Sequence, residues 1–229
     1  MTQTEQLKEL RKCARSAAYF VTQFVRIEMQ VRHADQQRTE WRPFAMWPEQ
    51  LALLRTVAGS PKVAVLKARQ LGITWLVLAY ALWLMLFRRG STVMLFSRSD
   101  VEAKELLRRL RQMHWHLPEW MQAQTGAPDN DHELTFTRQD SRAKSFPTTK
   151  HSGRSFTATL VVIDEADFIQ YLSQLLNAAE PAAEAGGQLV LISTSDKEKP
   201  NSPFKQIWKA GQAGKNRYAA AFLPWSARP

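Results

Sequence analysis

Apolar residues follow two patterns along this chain, one continuous and one periodic. Continuous apolar runs are typical of strands buried on both faces, whereas apolar residues that recur every three or four positions are typical of helices. The runs predict strands at 62–66, 92–97, 160–163, 188–192 and 218–223. The periodic stretches predict helices at 4–33 (one long or broken helix), 48–58, 73–87, 101–113, 172–185 and 203–210. Strands that alternate with helices indicate an α/β fold with a mainly parallel central sheet flanked by helices.

The remaining segments are polar or rich in turn residues. Residues 34–43 and 118–132 are expected to be loops, the second because of its Pro, Gly, Asp and Asn content. Apolar and polar residues alternate in Glu133–Thr137 and again near Ala143–Phe146. This alternation predicts a small hairpin inserted into the α/β fold.

Two adjacent carboxylates, Asp164 and Glu165, directly follow the apolar run 160–163. Open parallel sheets bind ligands at the carboxyl ends of their strands, so both side chains are expected at that edge. One carboxylate of such a pair can hold Mg²⁺, and the other can polarise an attacking water. The alternative interpretation is a strand that ends in a solvated acidic turn.

The segment Lys67-Ala68-Arg69-Gln70-Leu71-Gly72-Ile73-Thr74 connects the strand at 62–66 to the helix at 73–87. A loop in this position can bind phosphates, because its backbone N–H groups and the helix N-terminus both attract anions. Its spacing is similar to GxxxxGK[ST], with Gly72 and Thr74 in the expected places. Thr74 is then the hydroxyl ligand to Mg²⁺.

The loop departs from that spacing at two positions. Lys67 stands where the first Gly is usual, and Ile73 stands where the Lys is usual, so the positive charge is expected from Lys67 or Arg69. For the loop alone, a basic strand-to-helix turn without a ligand is an equal alternative. Joined to the acidic strand, the loop indicates an ATPase.

The composition indicates the kind of partner that the chain binds and the compartment in which it works. The formal net charge is +10 and the pI is about 10.0, which indicates a polyanionic partner such as nucleic acid or, alternatively, a solvated basic surface. A single cysteine excludes an internal disulfide and fits a reducing compartment. Charged residues near the N-terminus do not fit a signal peptide. The uncharged stretch 71–87 is long enough to suggest a membrane span, but it begins inside the phosphate loop, and a helix buried in a protein core is also apolar on all sides.

A loop of the form K-x-R-Q-x-G-x-[ST] resembles the ATPase of large terminase subunits, the motors that package DNA into tailed-phage capsids. Four further segments also resemble parts of that family. Tyr19–Glu28 resembles its N-terminal helix, and Pro43–Gln50 resembles its adenine-contacting segment. Gly153–Ala158 resembles its Arg-Gly-rich lead-in, with the order changed, and Ile192–Ser195 resembles its Ser/Thr coupling motif. The motifs follow the family's order, and the resemblance covers nearly the whole chain.

The resemblance implies a RecA-like (ASCE) P-loop ATPase. Residues 1–60 would form N-terminal helices and the adenine-contacting segment, and residues 61–229 the ATPase core. The implied ATP-binding residues are Gln50, Lys67, Ala68, Arg69, Gln70, Leu71, Gly72, Ile73 and Thr74. The implied Mg²⁺ ligands are Thr74 and Asp164, the implied catalytic residues are Glu165, Asp164 and Arg69, and the implied coupling residues are Ser193, Thr194 and Ser195.

The resemblance also implies partners and a location. These are double-stranded DNA, the portal protein and the small terminase subunit, with a homo-oligomeric ring during packaging, in the host cytoplasm and transiently at the procapsid portal. The family's C-terminal nuclease is expected to be absent, because the sequence has no second constellation of carboxylates. Basic residues could contact DNA or a neighbouring subunit's active site, or form a solvated hairpin face; they are Arg138, Arg142, Lys144, Lys150 and Arg154.

Two other functions compete with this one. A different P-loop nucleic-acid motor, such as a helicase, would need further motifs on a second motor domain, and the sequence has none. A non-hydrolysing DNA-binding assembly module would explain Ile73 at the usual Lys position. Thr74, Asp164 and Glu165 argue against such decay of the nucleotide site.

Overall fold

The computed structural model describes residues 1–33, 36–148 and 157–228. Its helices are α1 (Gln3–Arg15), α2 (Ala17–Phe24), α3 (Pro48–Gly59), α4 (Ile73–Phe87), α5 (Asp100–Trp115), α6 (Leu172–Glu184) and α7 (Pro203–Gln212). Its strands are β1 (Arg26–His33), β2 (Gln36–Pro43), β3 (Lys62–Lys67), β4 (Thr92–Ser97), β5 (Thr125–Asn130), β6 (Glu133–Phe136), β7 (Ser141–Pro147), β8 (Leu160–Asp164), β9 (Gln188–Ser193) and β10 (Ala219–Leu223). Short 3₁₀ turns lie at Glu119–Met121, Ala166–Phe168 and Trp225–Ala227.

Within the described residues, eight strands form one sheet in the order β10-β3-β9-β8-β4-β7-β6-β5. Neighbouring strands from β10 to β7 run parallel, and β6 and β5 extend the sheet antiparallel. The predicted α/β class is therefore confirmed, including the hairpin insertion, which β6 and β7 form. Because β9 lies between β3 and β8, the carboxyl ends of these three strands lie side by side at one edge.

Both faces of the sheet are buried at its inner parallel strands, which explains why these strands are continuously apolar. On β3, Val63 and Val65 face a core formed with α2, α3, α4 and α5. Ala64, between them, faces a second core formed with α6 and α7. Side chains of alternate residues point to opposite faces of a strand, so a strand covered by helices on both sides needs apolar residues at every position.

Helix α4 is apolar on all sides because it is enclosed by the sheet and the surrounding helices. Every residue from Leu76 to Met85 is buried. The indole N–H of Trp83 donates to the Cys13 carbonyl at 2.7 Å, so this buried polar atom is satisfied. None of the helices in the described part of the chain combines the length and apolar character that a membrane crossing requires.

The periodic stretch 4–33 is helical only as far as Phe24. It is divided at Ser16, whose backbone is extended and whose hydroxyl accepts a hydrogen bond from the Tyr19 N–H at 3.1 Å. This N-cap begins α2. From Arg26 onwards the predicted helix is wrong, because these residues form strand β1.

Strands β1 and β2 form an antiparallel hairpin outside the main sheet, with Ile27 opposite Arg42. The loop predicted over 34–43 is therefore wrong for β2. Apolar residues alternate with polar ones in β1, which is a strand pattern that the helical periodicity of the preceding residues obscured. β2 is polar almost throughout, so its conformation depends on pairing with β1 rather than on an apolar face of its own.

The loop predicted over 118–132 is also partly wrong. It contains the 3₁₀ turn at Glu119–Met121 and strand β5, which pairs with β6 through a register shift. β5 lies at the edge of the sheet and is exposed over most of its length. An exposed edge strand tolerates Gly, Pro, Asp and Asn, so its composition resembles that of a loop.

Candidate nucleotide site

The β3–α4 loop, the end of β8 and the end of β9 meet at one edge of the sheet. In register, Leu66 pairs with Ser193 and Asp164 pairs with Ile192. The structure thus brings together three segments that are far apart in sequence, which are the predicted phosphate-binding loop, the acidic pair and the coupling segment. Their side chains form the candidate site.

The backbone of the β3–α4 loop turns through two left-handed residues, Gln70 (φ 61°) and Gly72 (φ 68°). A Cβ at position 72 would lie 3.1 Å from Gln50 Nε2, so both conformation and space favour glycine there. The loop leads into the N-terminus of α4, where unpaired N–H groups and the helix dipole favour an anion. The Ala68 N–H is already used, because it donates to the Leu223 carbonyl at 2.9 Å.

Gln50 is buried beneath this loop. Its Nε2 donates to the Leu71 carbonyl at 2.8 Å, and its Oε1 accepts from the Trp47 N–H at 3.0 Å. Both ends of the amide are therefore bound to backbone groups, and Gln50 ties the start of α3 to the loop. Contact between Gln50 and a nucleotide base stays a prediction.

Asp164 and Thr74 form a compact pair of oxygen donors. The Thr74 hydroxyl lies 3.1 Å from Asp164 Oδ2 and 3.3 Å from Oδ1. Burial raises the pKa of the Asp164 carboxyl to about 6, against the opposing effect of the Lys67 ammonium. A desolvated carboxylate beside a hydroxyl can be stabilised by a hard cation, so the donor set fits Mg²⁺.

Glu165 has a left-handed backbone (φ 50°), which is uncommon for a residue with a side chain. Its Oε1 lies 3.4 Å from the Lys67 ammonium, whose side chain is largely buried. Its Oε2 accepts from the Thr194 hydroxyl at 3.2 Å and from the Thr194 N–H at 3.4 Å. Lys67 therefore holds one oxygen of this carboxylate, and Thr194 holds the other.

The predicted coupling residues have different surroundings. The Ser193 hydroxyl is buried, accepts from the Asp167 N–H at 3.0 Å and donates to the Thr194 carbonyl at 2.8 Å. Thr194 contacts Glu165, as described above. Ser195 is exposed. The structure thus brings Ser193 and Thr194 to the acidic turn and leaves Ser195 at the surface.

Sequence reasoning missed a buried cluster next to the acidic turn. The Asp167 carboxylate lies 3.1 Å from the Lys205 ammonium and also accepts hydrogen bonds from the Ser202 hydroxyl and, at 2.6 Å, from the Asp196 N–H. Asp167 belongs to the acidic run, but nothing in the sequence indicates its partners, which come from the start of α7 and the segment before it.

A cavity of about 760 Å³ adjoins the phosphate loop. Its walls come from the predicted adenine-contacting segment (Phe44, Trp47 and Gln50), from the β3–α4 loop, and from β1. Trp75 and Arg109 also line it, and the Arg109 guanidinium lies 5.1 Å from the centre of the Trp75 ring. Sequence reasoning missed the β1 wall, because that segment was predicted to be helical.

Solved structures match this fold, although no protein-family model and no curated protein matches the sequence. The large terminase of bacteriophage HK97 superimposes with a TM-score of 0.66 at 16% identity, over 91% of this chain and 43% of that one. The ATPase domain of the Thermus phage P74-26 large terminase superimposes with a TM-score of 0.62 at 16% identity, over 80% of this chain and 83% of that one. The large terminase of a thermophilic bacteriophage, solved in complex with ADP, superimposes with a TM-score of 0.59 at 15% identity, over 78% of this chain and 45% of that one.

The chain has the fold of a large terminase ATPase domain. The predicted RecA-like fold is thereby confirmed. This chain spans less than half the length of the HK97 large terminase and of the ADP-bound one, and most of the P74-26 ATPase domain.

Within this terminase fold, the unusual loop has a structural reason. Ile73, the first residue of α4, is buried in the apolar core. A lysine at this position would bring its charge into an apolar environment. Lys67 instead extends from the end of β3 to Glu165. Arg69 is exposed on the loop.

The basic residues of 138–154 that the structure describes have different surroundings. Lys144 is paired with Glu133 at 3.0 Å. Arg142 is exposed and pairs in register with Thr92, at the first residue of β4 and therefore at the sheet edge opposite the phosphate loop. Lys150, Arg154 and most of the predicted Arg-Gly-rich lead-in (153–156) lie outside the described residues.

Proposed function

We propose that this chain is the ATP-hydrolysing motor domain of a phage large terminase subunit. The observation that carries this proposal is the convergence of complementary groups beside the start of α4. The Thr74 hydroxyl lies 3.1 Å from Asp164, and the Lys67 ammonium lies 3.4 Å from Glu165. This is the combination of an anion-binding loop, a cation-binding pair and a second carboxylate that phosphoryl transfer to water requires.

The loop from Arg69 to Thr74 binds the β- and γ-phosphates through its backbone N–H groups, assisted by the Lys67 ammonium. Thr74 and Asp164 hold Mg²⁺, which when bound neutralises phosphate charge. The cavity beside Phe44 and Trp47 receives the adenine and ribose. The large terminase that was solved with ADP has also been solved with ATP-γ-S, which supports a nucleotide in the corresponding site of this chain.

Glu165 orients the attacking water and accepts its proton. Lys67 and Thr194 hold the two carboxylate oxygens, so the carboxylate needs little reorientation before the reaction. Arg69, exposed on the loop, can approach the γ-phosphate or Glu165 and thereby influence turnover. Ser193 to Ser195 report phosphate release to the rest of the domain.

The remainder of the proposal concerns the assembly. We expect the domain to act on double-stranded DNA in a homo-oligomeric ring, with portal protein and small terminase subunit, in the host cytoplasm and at the procapsid portal. The net charge of +10 supports a polyanionic partner. The exposed Arg138 and Arg142, at the edge opposite the nucleotide, are candidates for contact with DNA phosphates.

Steady-state ATP hydrolysis with and without double-stranded DNA tests the proposal. We expect Mg²⁺-dependent hydrolysis that EDTA abolishes, together with DNA binding that weakens as salt rises. ATP binding without hydrolysis would favour the non-hydrolysing assembly module. Hydrolysis accompanied by strand separation would favour a helicase-like motor.

A further inference from the structure

The Asp167–Lys205 ion pair is buried and has no part in the proposed chemistry. The Asp167 side chain is fully buried and that of Lys205 nearly so, and their charged atoms lie 3.1 Å apart. Lys205 also donates to the Lys199 carbonyl at 2.7 Å and to the Asp196 carbonyl. Both charges are therefore surrounded by hydrogen-bonding groups.

This pair anchors a segment that has no regular secondary structure. Residues 195–201 form no helix or strand and are mostly exposed. Asp167 binds the segment near its beginning, through the Asp196 N–H, and at its end, through Ser202 and Lys205. One carboxylate therefore anchors the segment near both of its ends.

Thr194, the residue directly before this segment, holds the Glu165 carboxylate. Thr194 donates two hydrogen bonds to Glu165, and the Ser193 hydroxyl joins the Thr194 carbonyl to the Asp167 N–H. The acidic turn thus contacts Thr194, directly before the segment, through Glu165, and it contacts the segment itself through Asp167. A shift of the segment would release one side of Glu165.

The location of Lys205 is electrostatically unfavourable for a helix alone. It lies in the first turn of α7, where the helix dipole disfavours a cation, and Ser202 already caps that helix. A buried ion pair contributes little net stability compared with apolar packing. The cost of burying the two charges is better explained by the geometry that the pair imposes on residues 195–201.

We propose that Asp167 is a positioning residue for ATP hydrolysis. Through Lys205, Ser202 and the Asp196 N–H it holds residues 195–201, and with them the adjoining Thr194, beside Glu165, and it joins the nucleotide site to α7. This inference rests on the proposed ATPase function, and it assigns to Asp167 no contact with nucleotide or water.

The test compares turnover with nucleotide affinity in Asp167→Asn, which keeps the size of the side chain and removes its charge. We expect kcat to fall by about tenfold or more while the Kd for ATP stays within about twofold, because only the orientation of Glu165 changes. Lys205→Met should have a similar effect. The exposed Lys209, on the same helix, provides the matched control Lys209→Met, which should match the wild type.

A double variant separates a positioning pair from two independent defects. Asp167→Asn combined with Lys205→Met should lose no more kcat than the worse single variant, because both changes break one interaction. If Asp167→Asn fails to fold, Ser202→Ala keeps the ion pair but removes the hydrogen bond to Asp167 together with the N-cap bond of α7. It should lower kcat by about threefold without a change in Kd.

The outcomes distinguish this inference from the proposed function. A wild-type chain that does not hydrolyse ATP would contradict the ATPase and with it the role of Asp167. Wild-type hydrolysis with an unchanged kcat in folded Asp167→Asn or Ser202→Ala would overturn the inference alone. A parallel loss of kcat and affinity would also overturn it, because it would indicate general damage to the site.

Discussion

In the predicted phosphate-binding loop, the lysine is the first residue, Lys67, and does not stand directly before Thr74, where Ile73 lies. Lys67 is the last residue of β3, so its side chain emerges at the sheet edge between the loop and β8. A buried Ile73 leaves no room for a charge at the usual position. In the proposed function, one ammonium therefore serves both the phosphates and Glu165.

Removing the two basic residues of the loop should affect different quantities, namely ATP affinity for Lys67 and turnover for Arg69. Lys67→Ala should raise the Kd for ATP by about tenfold or more, because it removes a charge-assisted hydrogen bond in a largely buried site. Arg69→Ala should mainly lower turnover. Nucleotide affinity and steady-state rate decide the assignment, with Arg55→Ala, an exposed change on α3, as control. Near-wild-type affinity and rate in Lys67→Ala would leave Arg69 as the phosphate ligand.

The positions of site residues that directly follow a buried strand were predictable from the sequence. Gly72 and Thr74 follow a strand at a fixed spacing, and Asp164 and Glu165 end another, so a parallel sheet alone is enough to bring them to one edge. Gln50 beneath Leu71 and Lys205 beside Asp167 were not predictable in this detail. Those contacts depend on how separate elements pack, and neither partner has a pattern of its own.

At the scale of elements, the apolar strands were easier to predict than the polar ones. β3, β8 and β9 are apolar because both faces are covered, whereas β2 and β5 are polar because they lie at the periphery. Pairing with a neighbour rather than composition determines the conformation of such strands. The β1–β2 hairpin was therefore missed, although it forms a wall of the cavity.

The hairpin is held in place by aromatic contacts. Trp41 of β2 stacks on His116, with ring centres 4.1 Å apart, and meets the edge of Trp75 at 5.8 Å. Glu28 of β1 binds Arg108 of α5 at 2.9 Å. Because Trp75 also lines the cavity, these contacts connect the hairpin to the proposed nucleotide site.

Trp41→Ala should therefore weaken ATP binding by about three- to tenfold, which corresponds to the loss of one or two aromatic pairs. Its kcat should be unchanged, because the hairpin contacts ground state and transition state alike. Titration with a fluorescent ATP analogue and steady-state rates give both quantities. Thr39→Ala, an exposed change on the same strand, is the control. An unaltered Kd in Trp41→Ala would show that the hairpin has no part in binding.

At the scale of the whole molecule, His114 makes stability depend on pH. Burial lowers the pKa of His114 to about 4, and its Nε2 accepts from the Ala123 N–H at 2.9 Å, which requires an unprotonated nitrogen. The unfolded chain has the ordinary pKa of 6.5. Between these values the unfolded state binds more protons, so the free energy of unfolding falls as pH falls.

Urea unfolding at pH 7 and pH 5 measures this contribution. From the two pKa values, His114 should account for a loss of about 2 kcal/mol between these conditions. His114→Gln can still accept from the Ala123 N–H but cannot be protonated, so its loss should be smaller by that amount. His132→Gln, at an exposed position, serves as control. Equal pH dependence in His114→Gln and wild type would contradict the assignment.

The division of labour in the acidic pair tests the central claim most directly. ATP binding and phosphate release are measured for the wild type, Asp164→Ala, Glu165→Gln and the exposed control Glu198→Gln. Asp164→Ala should weaken Mg²⁺-dependent ATP binding, whereas Glu165→Gln should bind ATP within about twofold of the wild type and lose at least about a hundredfold in turnover. ATP hydrolysis at the wild-type rate by Glu165→Gln would contradict the account.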